Sequence, residues 1–205
     1  MASRRDAILR SAAKEIARKG VRGLKVEEVA RQAGVSLGLV YYHFTDRAGL
    51  LGATLLFVNG RASAYVSEAV ADALDAREAV ARRLLSELQD DPLVMENSIA
   101  WAELRSSAVF EVSLREPLRR TTDAWTAVVA LGIGRAQAAR LVSPQVDADE
   151  AAARLTALVE GLSDRWLSGS LALDDARRML ADAVDREFGP APGAVVGPRR
   201  DGAHA

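Results

Sequence analysis

Hydrophobic residues recur every three to four positions along most of the chain, with polar residues between them. This period is that of one buried face of an α-helix, and the sustained alternation typical of a half-buried strand is not found. Glycine, proline and capping residues interrupt the pattern at intervals. The sequence therefore predicts an all-α fold of nine helices, over residues 3–19, 26–33, 36–44, 47–74, 76–89, 92–110, 113–131 (with a possible extension to 141), 147–166 and 173–188.

The segment from residue 26 to residue 44 contains two short helices separated by a turn. Gly34 is expected to end the first helix, because glycine enters the left-handed conformation without steric cost. Ser36 can cap the second helix, and Val40 and Phe44 bury one face of it. Two helices joined in this way form a helix-turn-helix, whose second helix fits the major groove of DNA. The apolar stripe of the first helix consists of Val26, Val29, Ala30 and Ala33.

Charge is distributed unevenly between the two parts of the chain. Residues 1–50 contain ten basic and five acidic residues, a net charge of +5, whereas the remainder contains 17 basic and 23 acidic residues, a net charge of −6. DNA phosphates attract a positively charged segment and repel a negatively charged one. The distribution therefore favours the same segment for DNA binding as the helical pattern does.

Several kinds of chemistry are absent from the sequence. It has no cysteine, no metal-ligand spacing such as HExxH, no nucleophile–base pair and no glycine-rich phosphate loop. The prediction is that the protein is not an enzyme and has no catalytic residue, no metal site and no cofactor. The longest apolar run, residues 127–131, is far shorter than the roughly 20 residues that a membrane span needs. A cytoplasmic protein that does not enter the membrane is expected.

The first 50 or so residues resemble the tetracycline-repressor (TetR) family of bacterial transcription regulators. The resemblance is specific because three blocks stand in the order and spacing of the family. These blocks are ILRSAAKEIARKG at 8–20, VEEVARQAGVS at 26–36 and LVYYHFTDRAGLL at 39–51.

The resemblance implies three parts. Residues 1–46 would form the DNA-binding domain, residues 47–188 a helical domain for ligand binding and dimerisation, and residues 189–205 a tail. The tail is rich in proline and glycine and is expected to be disordered. A helix that starts near Arg47 and is roughly 40 Å long would join the first two parts without a flexible linker.

In this family the start of the second helix faces base edges. Leu37 and Leu39 occupy that position here and offer few hydrogen bonds, so contacts to thymine methyl groups and a share of shape readout are expected. One of the leucines, one of the tyrosines and the histidine could instead be structural. Lys25 stands where the family often has a capping threonine, and Arg47 where it more often has lysine. The predicted DNA-contacting residues are Lys25, Ser36, Leu37, Gly38, Leu39, Tyr41, Tyr42, His43 and Arg47.

Two further sites are expected in the second part. The family resemblance implies a cavity among helices that carry tryptophan together with Asn97, Glu103, Arg105 and Asp123, although core packing is an alternative role for each tryptophan. The last two long helices have more apolar surface than one face needs, which favours a four-helix interface between two copies. The predicted ligand-binding residues are Asn97, Trp101, Arg105 and Trp125. The predicted interface residues are Leu155, Leu158, Leu162, Trp166, Met179, Leu180 and Ala183.

The function that follows is a ligand-responsive transcriptional repressor. It would bind a palindromic operator in double-stranded DNA as a homodimer and would be released by a small, apolar or amphipathic effector. An activator or a corepressor-dependent regulator would have the same parts. An enzyme with an accessory helix-turn-helix and a helical protein-interaction bundle are further alternatives, and the bundle predicts no salt-dependent DNA binding.

Overall fold

The computed structural model describes residues 3–189, which form nine α-helices, one short 3-10 helix and no strand. The all-α prediction is confirmed, and the tail beyond residue 189 lies outside the described residues. The 3-10 helix is Val112–Leu114, between α6 and α7. The α-helices are α1 (Arg4–Lys19), α2 (Val26–Gln32), α3 (Leu37–Phe44), α4 (Arg47–Ala71), α5 (Ala76–Leu85), α6 (Pro92–Ser107), α7 (Arg115–Ala138), α8 (Ala148–Leu167) and α9 (Leu173–Phe188).

The turn and the cap of the helix-turn-helix are formed by neighbouring residues, as the sequence predicts. Gly34 has φ +67°, and the N–H groups of Gly34 and Val35 donate to the carbonyls of Arg31 and Ala30 at 3.3 and 3.0 Å. These two bonds close the end of α2. The Ser36 side chain accepts the Leu39 N–H and caps α3, whereas Lys25 gives α2 no side-chain cap.

Several helix ends differ from the sequence prediction, and at two of them an arginine from later in the chain binds the free carbonyls. Helix α5 ends at Leu85 rather than at 89, and Arg177 of α9 donates to the Leu88 carbonyl at 2.6 Å. Helix α6 ends at Ser107 rather than at 110, where Arg115 donates to the Ala108 carbonyl at 3.1 Å. Helix α7 continues past Gly132 to Ala138, within the extension that the sequence left possible, and Gly132 allows α5 to approach closely. A Cβ at that glycine would lie 2.8 Å from Val80.

Apolar side chains form two separate cores. The first joins α1, α2 and α3 to the first half of α4 and to one face of α6. The second joins α5 to the second half of α7, α8 and α9. The domain boundary predicted at residue 46 therefore falls inside the first core, because Leu50, Leu55, Ala100 and Leu104 are buried together with the helix-turn-helix.

A buried carboxylate fixes α2 on α1. The side chain of Glu15 is 1% exposed and accepts from Gln32 of α2 at 2.6 Å, from Lys19 at 3.0 Å and from Arg18 at 3.0 Å. Burial alone would raise the pKa of Glu15, but these three donors outweigh it and lower the pKa to about 2. The carboxylate is thus ionised at neutral pH and holds the two helices together.

Helices α3 and α4 meet in a tight turn. Thr45 has φ +63°, which is unusual for a β-branched residue, and the Asp46 N–H donates to the Phe44 carbonyl at 2.6 Å. The Asp46 carboxylate then caps α4 by accepting the Gly49 N–H at 2.7 Å. A Cβ at Gly49 would lie 2.1 Å from the Phe44 carbonyl oxygen. The turn therefore leaves no room for a side chain at position 49.

Gly49→Ala is expected to destabilise the protein by about 1–3 kcal/mol, because the added methyl group must push α3 away from α4. Gly60→Ala in the same helix is the matched control, since a Cβ there meets no atom within 4 Å. The control should stabilise the protein by about 1 kcal/mol through helix propensity. Chemical unfolding of the two variants measures both effects, and equal stability would contradict the tight turn.

Candidate DNA-binding surface and ligand cavity

Helix α3 buries one face and presents the other to solvent. Val40 and Phe44 are at most 5% exposed and pack in the first core. On the other side Leu37, Tyr41 and Tyr42 are 36%, 41% and 82% exposed. The helix therefore offers two phenolic hydroxyl groups and an apolar side chain to a groove of DNA.

The other residues predicted to contact DNA differ in their surroundings. Lys25, Ser36 and Gly38 are exposed, although the Ser36 hydroxyl is engaged by the Leu39 N–H at 3.2 Å. Leu39 and His43 are partly buried, and the imidazole of His43 has its centroid 5.4 Å from the ring of Tyr42. Of this group, Lys25 presents a cation at the start of α2.

Arg47 is engaged within the protomer. Its guanidinium donates to the Val21 carbonyl at 2.5 Å and lies 3.4 Å from a carboxylate oxygen of Glu111. These two partners engage two of the five N–H donors of the guanidinium, and the side chain is 38% exposed, so contact of Arg47 with phosphate stays a prediction.

A cavity of about 280 Å³ lies between the two cores. Helices α4, α6, α7 and α8 form its walls, and Arg83 of α5 and Glu87 of the turn that follows α5 complete them. Apolar groups form most of the surface, and five charged side chains are set into it. The charged side chains are Arg83, Glu87, Arg105, Glu160 and Asp164.

Most polar groups of the cavity wall have partners in the protein. Arg105 bonds to Asp164 and lies 3.6 Å from Glu160, which in turn accepts the indole N–H of Trp101 at 3.2 Å. Two buried atoms have no hydrogen-bond partner among residues 3–189, namely Oδ1 of Asn97 and Nε of Arg105. Because a buried polar atom without a partner is destabilising, both favour a polar ligand.

Both parts of the chain match known families. Residues 8–54 match the family described as bacterial regulatory proteins, tetR family, and residues 73–189 match the C-terminal part of BetI-type transcriptional repressors. The HTH-type transcriptional regulator BetI of Burkholderia mallei (strain NCTC 10229) is 31% identical over 191 residues, which cover 90% of this chain and 91% of that protein. The chain belongs to the TetR family.

Solved structures of TetR-like regulators have the same fold. A putative TetR-family transcriptional regulator from Rhodococcus sp. is 51% identical, with a TM-score of 0.88 over 92% of this chain and 100% of that one. A putative transcriptional regulator from Saccharomonospora viridis in complex with choline is 26% identical, with a TM-score of 0.77 over 90% and 96%. These relatives are transcription regulators, which confirms the prediction that the chain is not an enzyme. None of the helices within residues 3–189 is sufficiently long and apolar to cross a membrane.

The structure brings the four predicted ligand-binding residues of this TetR-family chain to one place. Asn97, Trp101, Arg105 and Trp125 all line the cavity. Glu103 does not line it, and Asp123 is exposed and pairs with Arg119 at 3.0 Å. Glu87, Glu160 and Asp164 were not predicted from the sequence, because only the packing of α5 against α4 and of α8 against α6 brings these carboxyl groups to the cavity.

The predicted dimer interface needs correction. Leu155, Leu162 and Leu180 are at most 2% exposed and pack in the second core of the protomer, so their side chains are not available to a partner. Met179 is 43% exposed. Leu158, Trp166 and Ala183 are partly buried against the same core. Helix α8 also exposes a stripe of small residues that was not predicted as an interface, namely Ala153, Ala157 and Gly161.

Val21 links the DNA-binding helices to the cavity helix. Its N–H donates to Glu103 of α6 at 3.1 Å, and its carbonyl accepts from Arg47 of α4 at 2.5 Å. Glu103 follows directly after Ala102, which lines the cavity. Helix α6 therefore contacts the ligand cavity with one face and holds the segment before α2 with the other.

Glu103→Ala is expected to destabilise the protein by about 1–3 kcal/mol, because the buried Val21 N–H loses its acceptor. Glu103→Gln, which keeps an acceptor oxygen, should have a smaller effect. Hydrogen exchange of the Val21 amide should become faster in the alanine variant and remain near the wild-type rate in the glutamine variant. An unchanged exchange rate in Glu103→Ala would show that Glu103 does not hold this segment.

Proposed function

We propose that the protein is a dimeric repressor that leaves its operator when a small organic cation occupies the cavity between the two cores. The observation that carries the proposal is that α6 belongs to both the cavity wall and the core of the helix-turn-helix. A ligand that changes the position of α6 also changes the position of α3. The protein would act in the cytoplasm, where bacterial operators are found.

The exposed side of α3 supports a DNA contact in the major groove. Tyr41 and Tyr42 can donate their hydroxyl groups to phosphate oxygens, and Leu37 can contact a thymine methyl group. The segment is also the positive part of the chain, which favours association with DNA. In a symmetric dimer the two copies of α3 would read a palindromic operator with half-sites about one helical turn or more apart.

The exposed stripe on α8 supports the dimer. Ala153, Ala157 and Gly161 are spaced four residues apart, so they lie on one face of the helix. Small side chains on this face would allow the α8 of a second copy to approach closely. Met179 of α9 is a further exposed apolar side chain. Together with Leu158, these residues form the face on which we place the interface.

The lining of the cavity favours a cation with an apolar body. Trp101 and Trp125 offer aromatic surface, which attracts an ammonium group by the cation–π interaction. The lining contains three carboxyl groups and two guanidinium groups, so acidic groups outnumber basic ones. A hydroxyl group on the ligand could donate to Asn97 Oδ1 or accept from Arg105 Nε. Choline combines these features, and the Saccharomonospora viridis regulator was solved with choline.

The function is tested by selecting bound fragments from random duplex DNA and then titrating choline against the selected operator. We expect operator affinity to fall by about 5–150-fold, which corresponds to a coupling of about 1–3 kcal/mol. An increase in affinity would instead identify a corepressor-dependent regulator. If choline leaves the affinity unchanged, the proposed effector class is wrong.

Tyr42→Ala is expected to weaken operator binding by about 1–3 kcal/mol without changing the thermal stability, because the side chain is exposed and the proposed contact is with DNA. Leu74→Ala is the control, since Leu74 is also a large exposed side chain but lies just beyond the C-terminal end of α4. Fluorescence anisotropy with labelled operator measures both. Wild-type affinity in the Tyr42 variant would remove this residue from the DNA contacts.

Gly161→Arg is expected to convert the dimer to a monomer, because an arginine would separate the two copies of α8. The protomer itself should remain folded, since a Cβ at this position meets no atom within 4 Å. Gly134→Arg in α7 is the matched control, as that Cβ also meets nothing within 4 Å. Sedimentation velocity gives the mass of each variant, and a dimeric Gly161 variant would place the interface on another face.

A further inference from the structure

The turn after α5 carries an acidic side chain into the cavity. Glu87 lines the cavity wall, and one of its carboxyl oxygens accepts the Tyr65 hydroxyl of α4 at 2.7 Å. The Tyr65 oxygen in turn accepts from the amide nitrogen of Asn97 at 3.5 Å. This chain of hydrogen bonds leaves the second carboxyl oxygen of Glu87 without a hydrogen bond from residues 3–189. It also ends at the same Asn97 whose Oδ1 has no partner.

The charges around Glu87 are not balanced by a close cation. No arginine or lysine nitrogen within residues 3–189 comes within 4 Å of its carboxyl group, although Arg83 also lines the cavity and attracts it over a longer distance. Arg105 is occupied by Glu160 and Asp164 of α8. Arg61 of α4 is paired with Glu96 at 2.9 Å.

The charge of the cavity therefore depends on the protonation of Glu87. Arg83 and Arg105 balance Glu160 and Asp164, so the lining is neutral when Glu87 carries a proton and has one negative charge when it does not. Burial raises the pKa of Glu87 above its usual range, although the Tyr65 hydroxyl and Arg83 oppose this shift. Arg135 of α7 lies close enough to Arg83 to lower the pKa of Arg83, after the larger effect of burial.

We propose that Glu87 selects a cation for the cavity and gives up its proton when the cation binds. The proposal rests on the proposed function, because it takes the effector to be a small organic cation. The Glu87 O–H bond breaks, the proton passes to solvent, and the carboxylate that remains faces the ammonium group. One positive charge enters as another leaves, so the cavity stays neutral. An uncharged ligand of the same shape leaves the proton on Glu87.

This exchange makes cation affinity depend on pH. A cation nearby lowers the pKa of Glu87, so the proton is released when the pH lies between the pKa of the bound state and the higher pKa of the ligand-free state. Within that window the affinity rises with pH by up to about tenfold per pH unit. Above the ligand-free pKa the carboxylate is already ionised, and the affinity becomes constant.

The experiment is isothermal titration calorimetry of the full chain with choline between pH 4.5 and 8.5, in pairs of buffers that differ in heat of ionisation. Its uncharged isostere, 3,3-dimethylbutan-1-ol, is titrated in parallel. In the wild type, choline should release up to one proton and bind more tightly as the pH rises, whereas the isostere should release none. In Glu87→Gln, choline should release no proton, and its affinity at high pH should fall by about tenfold or more.

Two controls separate the possible outcomes. Glu87→Gln should bind operator DNA like the wild type in the absence of choline, which shows that it is folded. Glu160→Gln keeps Glu87 and should still release a proton. If choline binds with the same proton release and pH dependence in the wild type and in Glu87→Gln, the role of Glu87 is refuted while the cation-binding function stands. If choline does not bind at any pH, both the proposed effector class and the proposed role of Glu87 are refuted.

Discussion

Helix α6 connects the two halves of the molecule because its two faces belong to different environments. Ala100, Leu104 and Ala108 are buried in the core of the DNA-binding helices. Asn97 and Trp101 line the cavity. Protein interiors are close-packed, so a shift of α6 at the cavity cannot be absorbed by empty space on its other side. Glu103 adds a directional bond to the same connection, because it holds the Val21 N–H that precedes α2.

The polar groups of the cavity determine how large the coupling between ligand binding and operator binding can be. A buried polar atom without a partner is destabilising by about 1–3 kcal/mol, and a ligand that paired with Asn97 Oδ1 would remove that penalty. Typical coupling free energies between two sites are also about 1–3 kcal/mol. One well-placed hydrogen bond is therefore of the size that the proposed change in operator affinity requires. The ring faces of Trp101 and Trp125 would then contribute further affinity for the ligand.

The sequence predicted best what neighbouring residues determine. Gly34, Ser36 and the spacing of Val40 and Phe44 define the helix-turn-helix by local rules, and the structure has each of these features. The end of α5 could not be predicted, because it depends on Arg177, some 90 positions later in the chain. Glu87 was missed for a similar reason, since the packing that brings it to the cavity joins helices far apart in the sequence. Leu155, Leu162 and Leu180 show the limit of a hydrophobic stripe, because periodicity does not distinguish a protomer's own core from a partner's surface.

In the proposed dimer, the arrangement of the two cores would convert small movements at the cavity into larger displacements of α3. The proposed dimer contacts lie on the second core, whereas α3 is carried by the first, and the cavity lies between them. Helix α4 runs from the α3 junction along the cavity wall, and its 25 residues span about 37 Å. A rotation of about 5° around one end of such a helix displaces the other end by about 3 Å. Two copies displaced in opposite directions would change the separation of the reading helices by about twice that distance, whereas half-sites on DNA are at a fixed spacing. A ligand that alters the angle between the cores therefore need not touch α3 to weaken its contacts with DNA.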